Sequence, residues 1–178
     1  QELLERSGNA LAEQTTRSAA VGAVALMGLS EPLLKAVAQG LQPPDAPAVL
    51  AALAAAQERF GLDGAYVINA RGVVVAHATS GARSTGLDVA FRPYFQQALS
   101  GQIGIYAAVG SKTNARGLYI AAPLYAGATV QTPVLGAVMF KLPFAAVDAV
   151  LASTGLTALL LSPQGAVIAS TRPEWLYA

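Results

Sequence analysis

Lys141 is the residue in this chain that packing alone explains least well. It stands in Val134-Leu-Gly-Ala-Val-Met-Phe-Lys141-Leu142, otherwise an apolar run with the length and composition of a central strand. An ammonium there is costly to bury unless something anionic pairs with it. Two readings are open. Lys141 can snorkel to the strand end or pair with a structural acid such as Asp88 or Asp148, or it can line a cup that holds an anionic ligand. Arg92, in Phe91-Arg-Pro-Tyr-Phe95, has the same two readings, and its guanidinium fork suits a carboxylate. Tyr94 lies in the same short segment. Arg116, in Ser111-Lys-Thr-Asn-Ala-Arg-Gly117, reads first as a loop or structural contact.

Other chemistry is scarce. Cysteine is absent, which removes disulfides, thiolate catalysis and Cys-ligated zinc; a single histidine, His77, removes multi-His metal sites. His77 reads either as a partly exposed strand-end residue or as a ligand-contacting, pH-sensing group. Gly81-Ala-Arg-Ser-Thr-Gly86 has the glycine spacing of a phosphate-binding loop, but Leu87-Asp88 follows where Lys-Ser/Thr is required. Ser111 lacks a G-x-S-x-G elbow, and the acids are scattered singly. With 11 Lys+Arg against 10 Asp+Glu, the net charge of +1 leaves no basic surplus for nucleic acid. No catalytic residue, metal or cofactor is expected.

The elements that would position these residues are legible in outline. The chain has 178 residues, enough for one domain or one and a piece. Hydrophobic residues make up 54% and charged residues 12%, which excludes disorder. The longest apolar run, Ala19 to Leu29, is too short to span a bilayer. Residues 1 to about 29 read as a long helix, with Leu4 and Leu11 hinting at helix pairing. Ser30 is expected to cap a second helix that stops at Gly40. A proline-rich linker over 42–47 then leads to a helix from Ala48 to Phe60. Ala65–Ile68 and Val73–Ala76 read as a hairpin about Asn69-Ala-Arg-Gly72. Asp88 is expected to cap a short helix running through Leu99. Strands follow at Ile103–Val109, Leu118–Leu124 and Val134–Leu142, then a helix from Pro143 to Ser153.

The end of the chain repeats an earlier part. Ala158-Leu-Leu-Leu-Ser-Pro-Gln-Gly-Ala-Val-Ile-Ala169 echoes Ala65-Tyr-Val-Ile-Asn-Ala-Arg-Gly-Val-Val-Val-Ala76, with Ala, Gly, Val and Ala in register. The implied organisation is an N-terminal helical region over 1–60, an α+β module over 61–153 and the beginning of a second, similar module over 154–178. Five strands with short connections fit an antiparallel sheet flanked by helices, a small PAS-like cup. The last hairpin, marginal alone, should dock on the first module or on a neighbouring chain.

These residues carry a resemblance. Phe91-Arg-Pro-Tyr-Phe-Gln-Gln-Ala-Leu-Ser-Gly101, Val109-Gly-Ser111, Arg116-Gly-Leu-Tyr119, Ala122-Pro123 and Gly136-Ala-Val-Met-Phe-Lys141 resemble the double Cache (tandem PAS-like, PDC) sensor domains of bacterial transmembrane receptors. The pattern is most similar to the periplasmic domains of four-carbon dicarboxylate sensor histidine kinases. The likeness runs from about Leu29 to the end, including Ser170-Thr-Arg-Pro-Glu-Trp-Leu-Tyr177. It implies that the membrane-distal module binds the ligand through Arg92, Tyr94, Gly110, Ser111 and Lys141. Amino-acid-binding relatives typically carry an Asp near the place of Lys141, so a Lys implies a second carboxylate in the ligand. Asn69 and Ala76-His-Ala78 depart from the kinase pattern.

The resemblance therefore implies an extracytoplasmic, periplasmic sensing domain of an inner-membrane protein, taking a small organic anion such as a dicarboxylate and doing no chemistry itself. Transmembrane helices would flank it, and the N-terminal helix could support a homodimer. On this reading Arg92 and Lys141 form a two-cation pocket with no fixed acidic partner. The alternatives are a ligand-free structural or dimerisation module, a sensor of an amino acid or other small molecule driving a cyclase or chemoreceptor, and a small cytosolic hydrolase.

Overall fold

The computed structural model describes residues 19–79, 81, 84–109, 116–162 and 165–176. Helix α1 covers Ala19–Ser30 and bends by 72° into α2, Pro32–Ala38. Pro32 supplies the first residue of α2, where its missing N–H does no harm. The expected Ser30 cap is not formed. Ser30 ends α1 and its hydroxyl donates to the Leu26 carbonyl, while Glu31 stands at the N-cap without a side-chain bond. The proline linker leads into α3, Pro47–Arg59. No single helix among the described residues is long and apolar enough to cross a membrane.

Five strands follow: β1 (Gly64–Asn69), β2 (Val74–Thr79), β3 (Gly104–Val109), β4 (Arg116–Tyr125) and β5 (Val134–Pro143). They form one antiparallel sheet in the order β2-β1-β5-β4-β3, with β5 in the middle. The β1–β2 turn closes as expected. The Asn69 carboxamide oxygen accepts from the Arg71 and Val73 amides, and Gly72 takes φ +81°, a left-handed conformation that favours glycine. Between β2 and β3 lies α4, Pro93–Leu99. Its N-cap is Arg92, not Asp88; Asp88 instead accepts from the Ala90 amide in a local turn.

Strand alternation divides the core into two layers. On one face, Val138 and Phe140 of β5 with Ala65, Val67, Ile120 and Leu124 receive α1, α2 and α3 through Val24, Leu34, Val49 and Leu53. On the other, Ala137 and Met139 with Tyr66, Ile68 and Ala121 receive α4 through Tyr94, Phe95 and Ala98.

After β5, helix α5 (Ala145–Ser153) leads to a second hairpin, β6 (Leu159–Leu161) and β7 (Val167–Ser170), with a 3-10 turn at Pro173–Trp175. Gly165 has φ +86°, the counterpart of Gly72 in the first hairpin. The hairpin docks on the preceding part of the chain, one of the two outcomes expected for it. Val167, Ile168 and Ala169 are buried, and Arg116 at the start of β4 donates to the Ile168 carbonyl and to both Asp148 carboxylate oxygens on α5. Arg116 is thus a structural contact. Leu4 and Leu11 lie outside the described residues.

Candidate functional site

The face of the sheet under α4 gathers most of the polar and aromatic groups singled out above. In β5 the alternation that turns Phe140 toward α1–α3 turns Lys141 the other way, onto the face of Ala137 and Met139. Its register partners are Tyr119 on β4 and Gly64 on β1. The Lys141 stem lies over Gly117. A Cβ added there would stand 2.7 Å from Lys141 Cε and 3.2 Å from the Tyr119 ring, so only glycine leaves the stem its course.

Neither Asp88 nor Asp148 pairs with Lys141. Lys141 Nζ lies 3.8 Å from Oδ2 of Asp63, and Asp148 is engaged by Arg116. Asp63 is fixed by its backbone: its amide donates to the Lys141 carbonyl at 2.8 Å, and its carbonyl accepts from the Thr79 hydroxyl at 2.9 Å. The expectation of two cations with no fixed acidic partner therefore fails for Lys141. Asp63 sits one residue before β1, beside the last turn of the β5 ladder, and only the three-dimensional register brings it there.

Arg92 and Tyr94 come from the start of α4. Pro93 begins the helix, which leaves Arg92 extended at the N-cap and half-buried, its guanidinium 4.8 Å from the centroid of the Phe91 ring. No carboxylate pairs with it among the described residues. Tyr94 is buried and stacks on Tyr119, ring centroids 5.3 Å apart and planes 10° apart. Burial pushes the Tyr94 phenol well above its ordinary range, and the neighbouring Tyr119 adds to this while Arg92 opposes it. Burial likewise raises the Tyr119 phenol, with Arg92 opposing and Tyr66 and Asp63 reinforcing. Both phenols therefore remain hydrogen-bond donors, and the charges of Arg92 and Asp63 both reach this tyrosine pair.

His77 lies within β2, paired with Tyr66 across the hairpin; their rings stack at 6.1 Å. The Ser84 amide approaches Nε2 at 3.4 Å, and Nδ1 lies 3.0 Å from the Thr85 hydroxyl. Behind this edge an open cleft of about 370 Å³ is lined by Pro44, Asp45, Leu50, His77 and Thr85. It holds neither predicted cation, so the aromatic–cationic face is the stronger candidate.

The structure thus brings Arg92, Tyr94 and Lys141 to one face, and adds Tyr119, Tyr66, Asp63 and Gly117. Gly110 and Ser111 lie outside the described residues, between the paired ends of β3 and β4 at Val109 and Arg116. The alternation Gly117-Leu-Tyr119-Ile-Ala121 could have placed Tyr119 beside Lys141, once β4 and β5 were known to be neighbours.

No family model matches the chain. A curated relative, the C4-dicarboxylate transport sensor protein DctB of Pseudomonas aeruginosa, is 25% identical over 151 residues, 81% of this chain. The chain spans about a quarter of that relative's length, 24%. Among solved structures, the sensor domain of the Vibrio cholerae histidine kinase DctB aligns with TM-score 0.73 at 20% identity, over 98% of this chain and 67% of that one. This chain has the fold of the PDC/Cache-type sensor domains. The same PDC/Cache-type fold appears in the Escherichia coli DcuS sensor domain, with TM-score 0.57 at 19% identity, over 76% of this chain and 98% of that one. It appears again in the ligand-binding domain of the Campylobacter jejuni chemoreceptor Tlp3 in complex with 4-methylisoleucine, with TM-score 0.60 at 17% identity, over 98% of this chain and 71% of that one. The DctB and DcuS sensor domains are periplasmic parts of inner-membrane receptors.

Proposed function

We propose that this chain is the periplasmic ligand-sensing part of a bacterial inner-membrane signalling receptor, and that it binds a small organic dianion between Arg92 and Lys141. One carboxylate meets the Arg92 fork and the other meets Lys141, with the Tyr94 and Tyr119 phenols donating between them. The observation that supports this most is Lys141 itself: a cation on the central strand, its side chain only 14% exposed, turned toward the α4 face that also carries Arg92. An ammonium so far from water is stabilised by an anion beside it, and a ligand carboxylate can supply one. Residues 61–153 form the binding module on this reading, and 154–178 begin a second one. The exposed leucines of β6, Leu159, Leu160 and Leu161, fit a sheet that further strands would cover. The domain performs no catalysis; ligand acts by favouring one arrangement of the modules over another. A dicarboxylate sensor histidine kinase is the parent protein favoured by the DctB likeness.

Calorimetry with succinate, malate, propionate and an α-amino acid tests the reading. Succinate or malate should bind more tightly than propionate. A protein that binds an amino acid and none of the carboxylates belongs with the chemoreceptor-like sensors instead.

A further inference from the structure

We propose that Asp63 is the resident counter-ion of Lys141 and that the second carboxylate of the ligand binds by displacing it. The inference rests on the two-cation reading above and concerns the charge that reading had left out. The two cations of the site are not equivalent. Arg92 meets no carboxylate among the described residues, whereas Lys141 Nζ stands 3.8 Å from Asp63 Oδ2. That distance is longer than a tight charge-assisted hydrogen bond, and a ligand carboxylate free to approach more closely can replace it. The Asp63 side chain is 38% exposed, so once displaced its carboxylate is taken up by water at little cost. Its backbone does not need to move, because the bonds to the Lys141 carbonyl and the Thr79 hydroxyl use main-chain atoms alone. Asp63 therefore acts as a built-in rival. A monocarboxylate held at Arg92 leaves the Asp63–Lys141 pair undisturbed, but a dicarboxylate must break it and then sit beside a like charge.

The test is calorimetry of succinate and propionate on wild type, Asp63→Asn, Lys141→Met and the double variant. Asp63→Asn keeps the shape and the backbone bonds, and unchanged circular dichroism confirms its fold; Asp63→Ser serves as a second replacement. Asp63→Asn should tighten succinate about tenfold, leave propionate within about twofold, and lose its effect when Lys141 is Met. Equal succinate affinity in wild type and Asp63→Asn overturns the inference. Weaker binding in Asp63→Asn also overturns it and makes Asp63 a support that positions Lys141. If succinate binds Asp63→Asn and not wild type, Asp63 is the rival proposed and the natural ligand is not a simple dicarboxylate. If succinate binds neither protein, the two-cation site falls and the inference with it.

Discussion

Arg116 and Asp148 meet fork to fork, with Nη1 2.7 Å from Oδ1 and Nη2 2.7 Å from Oδ2. Arg116 begins β4, Asp148 lies on α5, and the same guanidinium reaches the Ile168 carbonyl of β7 at 3.3 Å and covers the Phe144 ring at 4.8 Å. One side chain thus ties the five-stranded sheet, the connecting helix and the second hairpin. Arg116→Leu should lower global stability by only about 1 kcal/mol, because the pair is partly exposed. Local opening should change more: amide exchange over Leu159–Ser170 should speed several-fold while Val134–Phe140 keeps its protection. Equal acceleration in both segments would show that Arg116 supports the whole fold and does not fasten the hairpin.

Lys141→Ala should weaken succinate by about tenfold to a hundredfold, the equivalent of about 1.5–3 kcal/mol for one charge-assisted contact, and propionate far less. Calorimetry of both ligands on both proteins measures the difference. Parallel losses would place Lys141 in the support of the site and not in contact with a second carboxylate.

Gly117→Ala tests the same cation by geometry instead of charge. The new methyl group would crowd Lys141 Cε and the Tyr119 ring, pushing the ammonium off its course. The lysine end is flexible, so the melting temperature should fall by only a few degrees, about the effect of 1 kcal/mol in a domain of this size. Succinate affinity should fall at least severalfold, and a large unfolding penalty with intact binding would contradict this account.

Alkali should destabilise the domain through the tyrosine pair. The Tyr94 and Tyr119 phenols are raised by burial, so above about pH 10 the unfolded chain loses protons that the folded chain keeps. Their contribution is intact below that pH and is lost as pH rises beyond it. Urea unfolding between pH 8 and 11 should show the decline, and Tyr94→Phe should flatten it. An identical slope in the variant would remove Tyr94 as its source.

Phe140→Ala should cost about 3–5 kcal/mol, since the ring is fully buried between the sheet and α3 and stacks on Phe60 at 6.1 Å. Thermal or urea unfolding measures this, and a cost near 1 kcal/mol would mean that the helical layer collapses readily into the space.

Much of the fold was legible in the residues because alternation, proline and glycine act locally. The Val134–Leu142 run, the Asn69–Gly72 turn and Pro93 at the head of α4 each announce their element within a few positions. The two failed caps have a common cause. Ser30 and Asp88 can satisfy a neighbouring backbone group in more than one way, and each takes a local bond that needs no helix start: Ser30 to Leu26, Asp88 to Ala90. In the site, Arg92 and Lys141 stand out because cations are rare in apolar segments. Asp63 does not, because an acid at the mouth of a strand is ordinary in sequence. Its meeting with Lys141 depends on the β1–β5 register, which pairs Gly64 with Lys141 and which no local pattern encodes.

Phe140 and Lys141 are neighbours in the chain yet belong to opposite sides of the sheet, one packed on the helices that precede the module and the other in the site. A single strand thus separates the candidate site from the helical layer. If the proposed ligand binds there, any tilt of β5 that it favours would be felt on both faces at once, and the fit of Phe140 against Phe60 would set how much of that tilt reaches α3.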